Sequence, residues 1–204
     1  MGYTGIFGGS FDPLHQAHIE VVESCLRSGA CDEIWVLPSR VSPFKQGKHV
    51  TAFEHRYRMA ELAFKDLPGV WVLPLEQQLP PPSYTLKTLQ HLQRQYPERS
   101  WKLCIGSDNL ASFERWYRYR EILKIAGLLV ALRPGYDEVR NTADIDPDIL
   151  AATRFVEHRP RRLSSTALRE QLNSKIPEAD MIPEAVLRYI REHGLYATKG
   201  DSSG

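Results

Sequence analysis

The chain contains 204 residues, of which 42% are hydrophobic, 25% charged and 10% aromatic, and its formal net charge is +1 at pH 7. This length suits one domain with a substantial buried core, and the near balance of charge argues against broad non-specific nucleic-acid binding, which depends on a strongly basic surface. No apolar stretch reaches the length of a membrane-spanning helix and the first residues lack the basic and apolar regions of a secretion signal, so we predict neither a membrane span nor secretion.

Short apolar runs recur along the chain and predict β-strands. Several of these runs show no alternation of polar and apolar residues, which is typical of strands covered on both faces of a sheet. The predicted strands are Tyr3–Phe7, Glu33–Leu37, Val70–Leu75, Lys102–Ile105, Leu128–Leu132 and, later in the chain, Arg154–His158.

Segments with the apolar spacing of helices lie between these strands. Their stripes are Ile19, Val22 and Leu26; Met59, Leu62 and Ala63; and Leu86, Leu89 and Leu92, and two later helices are predicted at Ser165–Leu172 and Pro183–His193. Alternating strands and helices indicate right-handed crossovers and a mostly parallel sheet. We therefore predict an α/β, Rossmann-like doubly wound fold with helices on both faces and a small C-terminal helical segment. Residues 1–196 are predicted to form one domain, and the small, polar residues 197–204 a disordered tail.

Four connections have an unusual composition, and each is placed at the carboxyl end of a predicted strand or just before a helix. They are Gly8–Pro13, Leu37–Lys45, Leu79–Ser83 and Gly106–Asp108. In an open parallel sheet, ligands bind in the crevice beyond the carboxyl ends of the strands. We therefore expect the four connections to form one site.

The first connection leads into two histidines, His15 and His18, which are three residues apart. This spacing places both imidazoles on one face of a helical turn, and Asp12 and Pro13 are suitable residues for the start of that helix. A helix N-terminus carries free N–H groups and a partial positive charge, so a phosphate fits there, facing two imidazole donors. The alternative is a pair of surface histidines. No third ligand is evident nearby, so we predict no metal site on the protein.

A second cluster near the end of the chain reads Leu163-Ser-Ser-Thr-Ala-Leu-Arg169. A Ser or Thr that opens a helix caps its free N–H groups, and the exposed amides and hydroxyls can also hold an anion. Arg169, about one turn further on, can direct a planar guanidinium at the same anion. Taken alone, the cluster is better explained as a capped helix with a solvated arginine than as an anion site.

The three cysteines, Cys25, Cys31 and Cys104, are odd in number and lack CxxC spacing. This pattern predicts reduced thiols in a cytoplasmic protein rather than disulfides or zinc ligands.

The two clusters together, Gly9–His18 and Ser164–Arg169, resemble the HxGH-type nucleotidyltransferases, which transfer a nucleotidyl group from a nucleoside triphosphate to a phosphate-bearing acceptor. Further segments resemble bacterial nicotinate-nucleotide adenylyltransferases. They are Ser83-Tyr84-Thr85 with Thr88-Leu89, Gly106-Ser107-Asp108 with Trp116-Tyr117, Arg133-Pro134-Gly135-Tyr136, and Pro183–Val186 with Tyr189-Ile190 and Gly194-Leu195-Tyr196. These segments follow the family order over nearly the whole chain.

The resemblance implies an enzyme that converts ATP and nicotinate mononucleotide into deamido-NAD and pyrophosphate, with Mg²⁺ bound together with ATP. It implies catalytic roles for His15, His18, Lys45 and Arg169. It implies that ATP is bound by Gly8, Gly9, Ser10, Phe11, His18, Gly106, Asp108, Ser164, Ser165, Thr166 and Arg169. The acceptor is then bound by Asp12, Tyr84, Thr85, Trp116 and Arg133. The implied partners are these two substrates, with no nucleic acid and no membrane.

The residue types suggest how the acceptor ring is held. A pyridine that carries a carboxylate needs a stacking face, which Trp116 can supply, and anion donors, which the N–H groups around Tyr84 and Thr85 can supply at a helix start. Backbone donors favour nicotinate over nicotinamide, because the amide NH₂ would meet them with the wrong polarity. The alternative for Trp116 is a packed core residue.

Two positions depart from the family pattern. Ala17 stands where the family has Gly between its histidines, and Phe44 stands where it has His before the cation Lys45. These two departures are the features in favour of an alternative, a nucleotide-binding regulatory module that has lost activity, whereas every other phosphate-contacting position of the pattern is filled. The sequence is also compatible with an enzyme that uses nicotinamide mononucleotide or pantetheine phosphate as the acceptor.

Overall fold

The central feature of the computed structural model is a sheet of six parallel strands in the order β3-β2-β1-β4-β5-β6. The structure describes residues 2–43, 50–132, 145–158, 161, 163–174 and 180–197. The strands are β1 (Tyr3–Gly9), β2 (Glu33–Pro38), β3 (Val70–Val72), β4 (Ser100–Gly106), β5 (Ala126–Ala131) and β6 (Thr153–Val156). The strand order reverses between β1 and β4, and this is the topological switch point at which open α/β sheets bind ligands.

Helices cover both faces of the sheet, which confirms the predicted doubly wound α/β fold. They are α1 (Gln16–Arg27), α2 (Phe53–Phe64), α3 (Thr85–Gln95), α4 (Ser107–Leu110), α5 (Tyr119–Ile125), α6 (Pro147–Ala152), α7 (Ser165–Ser174) and α8 (Glu184–Glu192). Successive strand residues point to opposite faces, so Ile34 and Val36 join a core with α1, α2, α7 and α8, whereas Trp35 and Leu37 join a core with α3, α5 and α6.

The predicted third strand, Val70–Leu75, is too long. The strand ends at Val72, and Leu75 begins a short 3₁₀ turn that runs to Gln77. Pro74 lies between them and has no N–H to donate to a neighbouring strand, which ends the ladder. Leu75 is apolar because it packs against the core beneath α3 and α5 rather than because it belongs to a strand.

Other boundaries move by a few residues. The first strand extends two residues beyond its predicted end and so includes Gly8 and Gly9, and the last strand is Thr153–Val156 rather than Arg154–His158. The three cysteines are free thiols, as predicted, and all three are buried. No helix within the described ranges combines the length and hydropathy that a membrane span requires. The predicted tail lies outside the described residues except for Ala197.

Candidate active site

A cavity of about 590 Å³ opens at the carboxyl edge of the sheet, beside the switch point between β1 and β4. All four connections singled out in the sequence contribute to it: the lining includes residues 8–11, 39, 42, 43, 83–85, 106, 108 and 109. The prediction that these separate loops meet at one place is therefore confirmed, and their role in ligand binding stays a prediction.

The loop after β1 is shaped by two aromatic contacts. Phe11 is buried with a backbone φ of +50°, and its ring lies 5.5 Å from that of Phe7 and 5.2 Å from that of His18. A Cβ at Gly9 would lie only 2.6 Å from the Phe11 ring. Gly9 is therefore required for this ring to fold back under the loop, and the fold places the Ser10–Phe11 peptide at the cavity wall.

The two histidines stack at the start of α1. Their ring centroids are 3.7 Å apart with an interplanar angle of 24°, which confirms that they share one face. Both residues line the cavity, and His15 is only 3% exposed. His15 is also the N-cap, and it forms a capping box with His18. The expectation that Asp12 and Pro13 begin the helix is wrong, because the helix begins three residues after Pro13 and the imidazoles perform the capping.

One hydrogen bond of the capping box determines which ring nitrogen of His18 carries the proton. The backbone N–H of His15 donates to Nδ1 of His18 over 3.2 Å, so Nδ1 is an acceptor. In a neutral imidazole the proton then lies on Nε2. The other edge of the His18 ring is consequently a hydrogen-bond donor in a residue that lines the cavity.

The second sequence cluster docks onto the loop that precedes His15. Ser164 caps α7, because its Oγ accepts from the N–H of Ala167 over 3.2 Å, and Ser165 Oγ donates to the carbonyl of Pro13 over 3.1 Å. Arg169 Nη1 donates to the carbonyl of Asp12 over 2.5 Å, while Nη2 donates to Thr166 Oγ1 over 3.2 Å. The cluster thus lies against the His15 loop, although its residues are not among those that line the cavity.

Asp12 is a buried anchor between the two ends of the chain. Its side chain is 2% exposed, and its Oδ1 accepts from the hydroxyl of Tyr196 over 2.7 Å. Burial raises the pKa of Tyr196 well above its usual value, with a further contribution from the Asp12 charge, so this hydroxyl stays protonated and remains a donor. The carboxylate also lies 3.9 Å from Arg169 Nη1.

Asp108 approaches the cavity from the carboxyl end of β4. Gly106 is the N-cap of α4, and a Cβ there would lie 2.6 Å from Asp108 Oδ1. Because Gly106 has no side chain, the Asp108 carboxylate can lie against the carboxyl end of β4, where any larger residue would clash with it. Both residues line the cavity, and their contact with ATP stays a prediction.

Aromatic side chains form the wall on the α3 side. Trp116 is half-buried, its ring lies 5.1 Å from that of Phe113, and it lines the cavity, so it both packs against the core and is available to the cavity. Tyr84 is the N-cap of α3, and its ring lies 4.7 Å from that of Tyr117. The N–H of Tyr84 donates to the carbonyl of Pro82 over 2.8 Å, so it is not the ligand donor that was expected there. The first-turn N–H of Thr85 is the remaining candidate.

Two buried polar residues at the site were not predicted. Glu76 is 6% exposed, lines the cavity and accepts a hydrogen bond from the Thr88 hydroxyl. Arg56 is 2% exposed, and burial lowers the pKa of its guanidinium, an effect that the Asp12 charge opposes. In the sequence, Arg56 is a charged residue three positions before Met59, which belongs to the apolar stripe of a helix. This spacing indicates that Arg56 is on the buried face, but it does not show which groups the side chain contacts.

Several expectations fall outside the described residues. Lys45, the departure at Phe44 and Arg133 all lie in that part of the chain. Ala17 is described: it is buried and lines the cavity, so its methyl group forms part of the wall where the family has Gly. Across the described ranges, no group of three or more His, Cys, Asp or Glu side chains is arranged to hold a metal ion.

Comparisons with known proteins give a consistent result. The family model described as cytidylyltransferase-like matches residues 6–171. The nicotinate-nucleotide adenylyltransferase of Bacillus subtilis (strain 168) is 33% identical over 196 residues, which cover 96% of this chain and 99% of the relative. A probable nicotinate-nucleotide adenylyltransferase of Roseiflexus sp. (strain RS-1) is 37% identical and covers 94% of this chain and 96% of the relative.

Solved structures support the fold. The nicotinic acid mononucleotide adenylyltransferase of Plasmodium falciparum, complexed with NaAD, superposes with a TM-score of 0.74 at 22% sequence identity. The superposition covers 96% of this chain and 98% of that chain. The same enzyme complexed with APC gives a TM-score of 0.73 at 21% identity.

Proposed function

The chain belongs to the nicotinate-nucleotide adenylyltransferases of the cytidylyltransferase-like family, and we propose that its site transfers the AMP moiety of ATP to the 5′-phosphate of nicotinate mononucleotide, giving deamido-NAD and pyrophosphate. The observation that carries this proposal is the joining of the stacked His15 and His18 to an aromatic wall within one cavity. The site therefore offers phosphate donors and a ring-binding surface in the same space.

The reaction needs no protein nucleophile. An oxygen of the acceptor phosphate attacks the α-phosphorus of ATP, the new P–O bond forms, and the bond from the α-phosphorus to the β-phosphate oxygen breaks. The second pKa of a phosphate monoester is near 6, so the acceptor is largely dianionic at pH 7. The protein therefore acts mainly by aligning the two phosphates and offsetting their charge.

The cationic and donor residues suit this task. We assign the ATP phosphates to His18, through its Nε2 proton, and we place His15 beside the reacting phosphate. From the family resemblance we also assign them to Arg169, whose side chain lies against the Asp12 loop rather than in the cavity lining. Asp108 is suited to the ribose hydroxyls of ATP, because it is an acceptor at the cavity wall. Asp12 orients its loop, since its carboxylate is already bonded to Tyr196. Lys45 remains a predicted phosphate contact.

Magnesium fits the site as a companion of ATP rather than as a resident ion. The described side chains around the helix start are donors, and the carboxylate of Asp12 is engaged within the protein. Mg²⁺ would therefore be held by phosphate oxygens, where it neutralises charge on the triphosphate.

We place the reaction in the cytoplasm, in keeping with the three free thiols. That residues 1–196 form one domain stays a prediction.

The direct test measures pyrophosphate release from ATP and Mg²⁺ with three acceptors in parallel. We expect turnover with nicotinate mononucleotide, slower turnover with nicotinamide mononucleotide, none with pantetheine phosphate, and none when Mg²⁺ is chelated. Turnover with pantetheine phosphate alone would overturn the acceptor assignment. Binding of ATP without turnover of any acceptor would instead identify a regulatory module.

Replacing Trp116 with alanine should raise the KM for nicotinate mononucleotide by about 10-fold or more, because aromatic stacking on a base is worth roughly 1–3 kcal/mol. The KM for ATP should change by less than about twofold. The matched control is Trp71→Ala, which removes a 57% exposed indole on the edge strand β3 and should change neither KM. Equal increases in both KM values would show that Trp116 acts through the core.

A further inference from the structure

A buried arginine lies behind the loops that form the cavity. Arg56 of α2 directs its guanidinium at four main-chain carbonyl groups from two connections, the one that follows β1 and the one between β2 and α2. Nε donates to Thr51 (2.7 Å), Nη1 to Ser10 and Ser39 (2.8 Å each) and Nη2 to Arg40 (3.3 Å). A planar guanidinium has donors in a rigid fork and can hold several acceptors at once, which a single ammonium nitrogen cannot do in the same directions.

The contact with Ser10 determines where the next amide points. The carbonyl of one residue and the N–H of the next lie on opposite sides of a planar trans peptide. Arg56 holds the Ser10 carbonyl, so the N–H of Phe11 points away from Arg56. Ser10 and Phe11 line the cavity whereas Arg56 does not, so this N–H faces the cavity. It meets no acceptor among the residues that the structure describes.

The loop after β2 shows the same arrangement with its acceptor in place. Arg56 holds the carbonyls of Ser39 and Arg40, and the N–H groups that follow them, those of Arg40 and Val41, point to the opposite side. Both donate to Oγ of Ser83, over 3.0 and 3.3 Å. In this loop, therefore, the N–H groups on the side opposite Arg56 are paired with an acceptor from the protein, the Ser83 hydroxyl.

We propose that Arg56 is a positioning residue for phosphate binding: by holding the carbonyl of Ser10, it turns the N–H of Phe11 into the cavity as a donor to a substrate phosphate. This inference rests on the proposed function, because it takes the anion to be a phosphate of ATP or pyrophosphate. The guanidinium also places a positive charge behind the loop, where burial weakens the screening of its attraction for an anion.

The test is the variant Arg56→Lys, which keeps the positive charge but loses the planar guanidinium with its several N–H donors. Calorimetric titration with inorganic pyrophosphate should give a Kd about 10- to 100-fold higher than that of the unmodified chain, the scale of one hydrogen bond to a charged group. Titration with adenosine, which has no phosphate, should give a Kd within about twofold. The matched control is Arg58→Lys, two residues along the same helix, whose exposed side chain pairs only with Glu61 among the described residues.

Loss of adenosine and pyrophosphate binding in equal measure would show a general structural role and overturn the proposal, as would unchanged pyrophosphate binding. A second measurement needs no variant. In a ¹⁵N–¹H spectrum of the unmodified chain, the Phe11 amide should shift on addition of pyrophosphate and stay in place on addition of adenosine. If the chemical shift of the Phe11 amide does not change on addition of pyrophosphate, the proposal is overturned, even if Arg56→Lys fails to fold. Neither measurement uses turnover, so failure of the proposed reaction would be seen separately.

Discussion

Replacing His18 with alanine should lower kcat by about 10²–10³-fold, the usual scale for one preorganised donor to charge that develops in a transition state. The His15 N–H donates to Nδ1 of His18, so the proton of the neutral ring lies on Nε2. We expect this Nε2–H group to donate a hydrogen bond to the phosphates. The variant also loses the acceptor for the His15 N–H, so its melting temperature should fall.

The variant His18→Gln separates these two effects. Glutamine at the third position of a helix can accept a hydrogen bond from the N–H of the N-cap residue, which is the second half of a capping box. We therefore expect His18→Gln to recover most of the stability and little of the turnover. Recovery of both would assign His18 to the helix start alone. The measurements are a thermal unfolding curve and a pyrophosphate-release rate at saturating substrates.

Replacing Arg169 with alanine should lower kcat/KM for ATP by a similar factor, about 10²–10³-fold. Two contacts of its guanidinium are internal, to the Asp12 carbonyl and to the Thr166 hydroxyl, and further N–H groups of the fork remain for phosphate oxygens. Arg169→Lys should recover part of the charge effect but not the fork geometry.

The control for Arg169 is Arg188→Ala on α8, which removes an exposed arginine paired with Glu184 and should leave the rate unchanged. A folded Arg169→Ala variant with an unaltered KM for ATP and an unaltered kcat would restrict Arg169 to anchoring the Asp12 loop. Binding of pyrophosphate to the same variant gives a readout that does not depend on the acceptor.

Features with a local cause could be predicted from the sequence. The strand positions follow from apolar runs, and the stacking of His15 and His18 follows from a spacing of three residues on a helix. The joining of four loops at one cavity follows from parallel strands, whose carboxyl ends meet at one edge of a sheet. The family resemblance supplied the reaction, which composition and spacing did not specify.

Features that depend on tertiary contacts were missed. The helix cap was assigned to Asp12 because aspartate is a common cap, but that carboxylate is instead bonded to Tyr196, which is 184 residues away in the chain. Arg56 looked like any charged position of an amphipathic helix, and its role appears only when the carbonyls of Ser10 and Ser39 are seen against it.

The contacts of Asp12 with Arg169 and Tyr196 have a consequence for biosynthesis. The histidine loop leaves the ribosome early, whereas the residues that hold it in place follow more than 150 positions later. Contacts of such long sequence separation form late, because the intervening chain must first be made and ordered. All six strands are therefore synthesised before Arg169 and Tyr196, and a chain that stops after β6 lacks both residues that anchor the histidine loop.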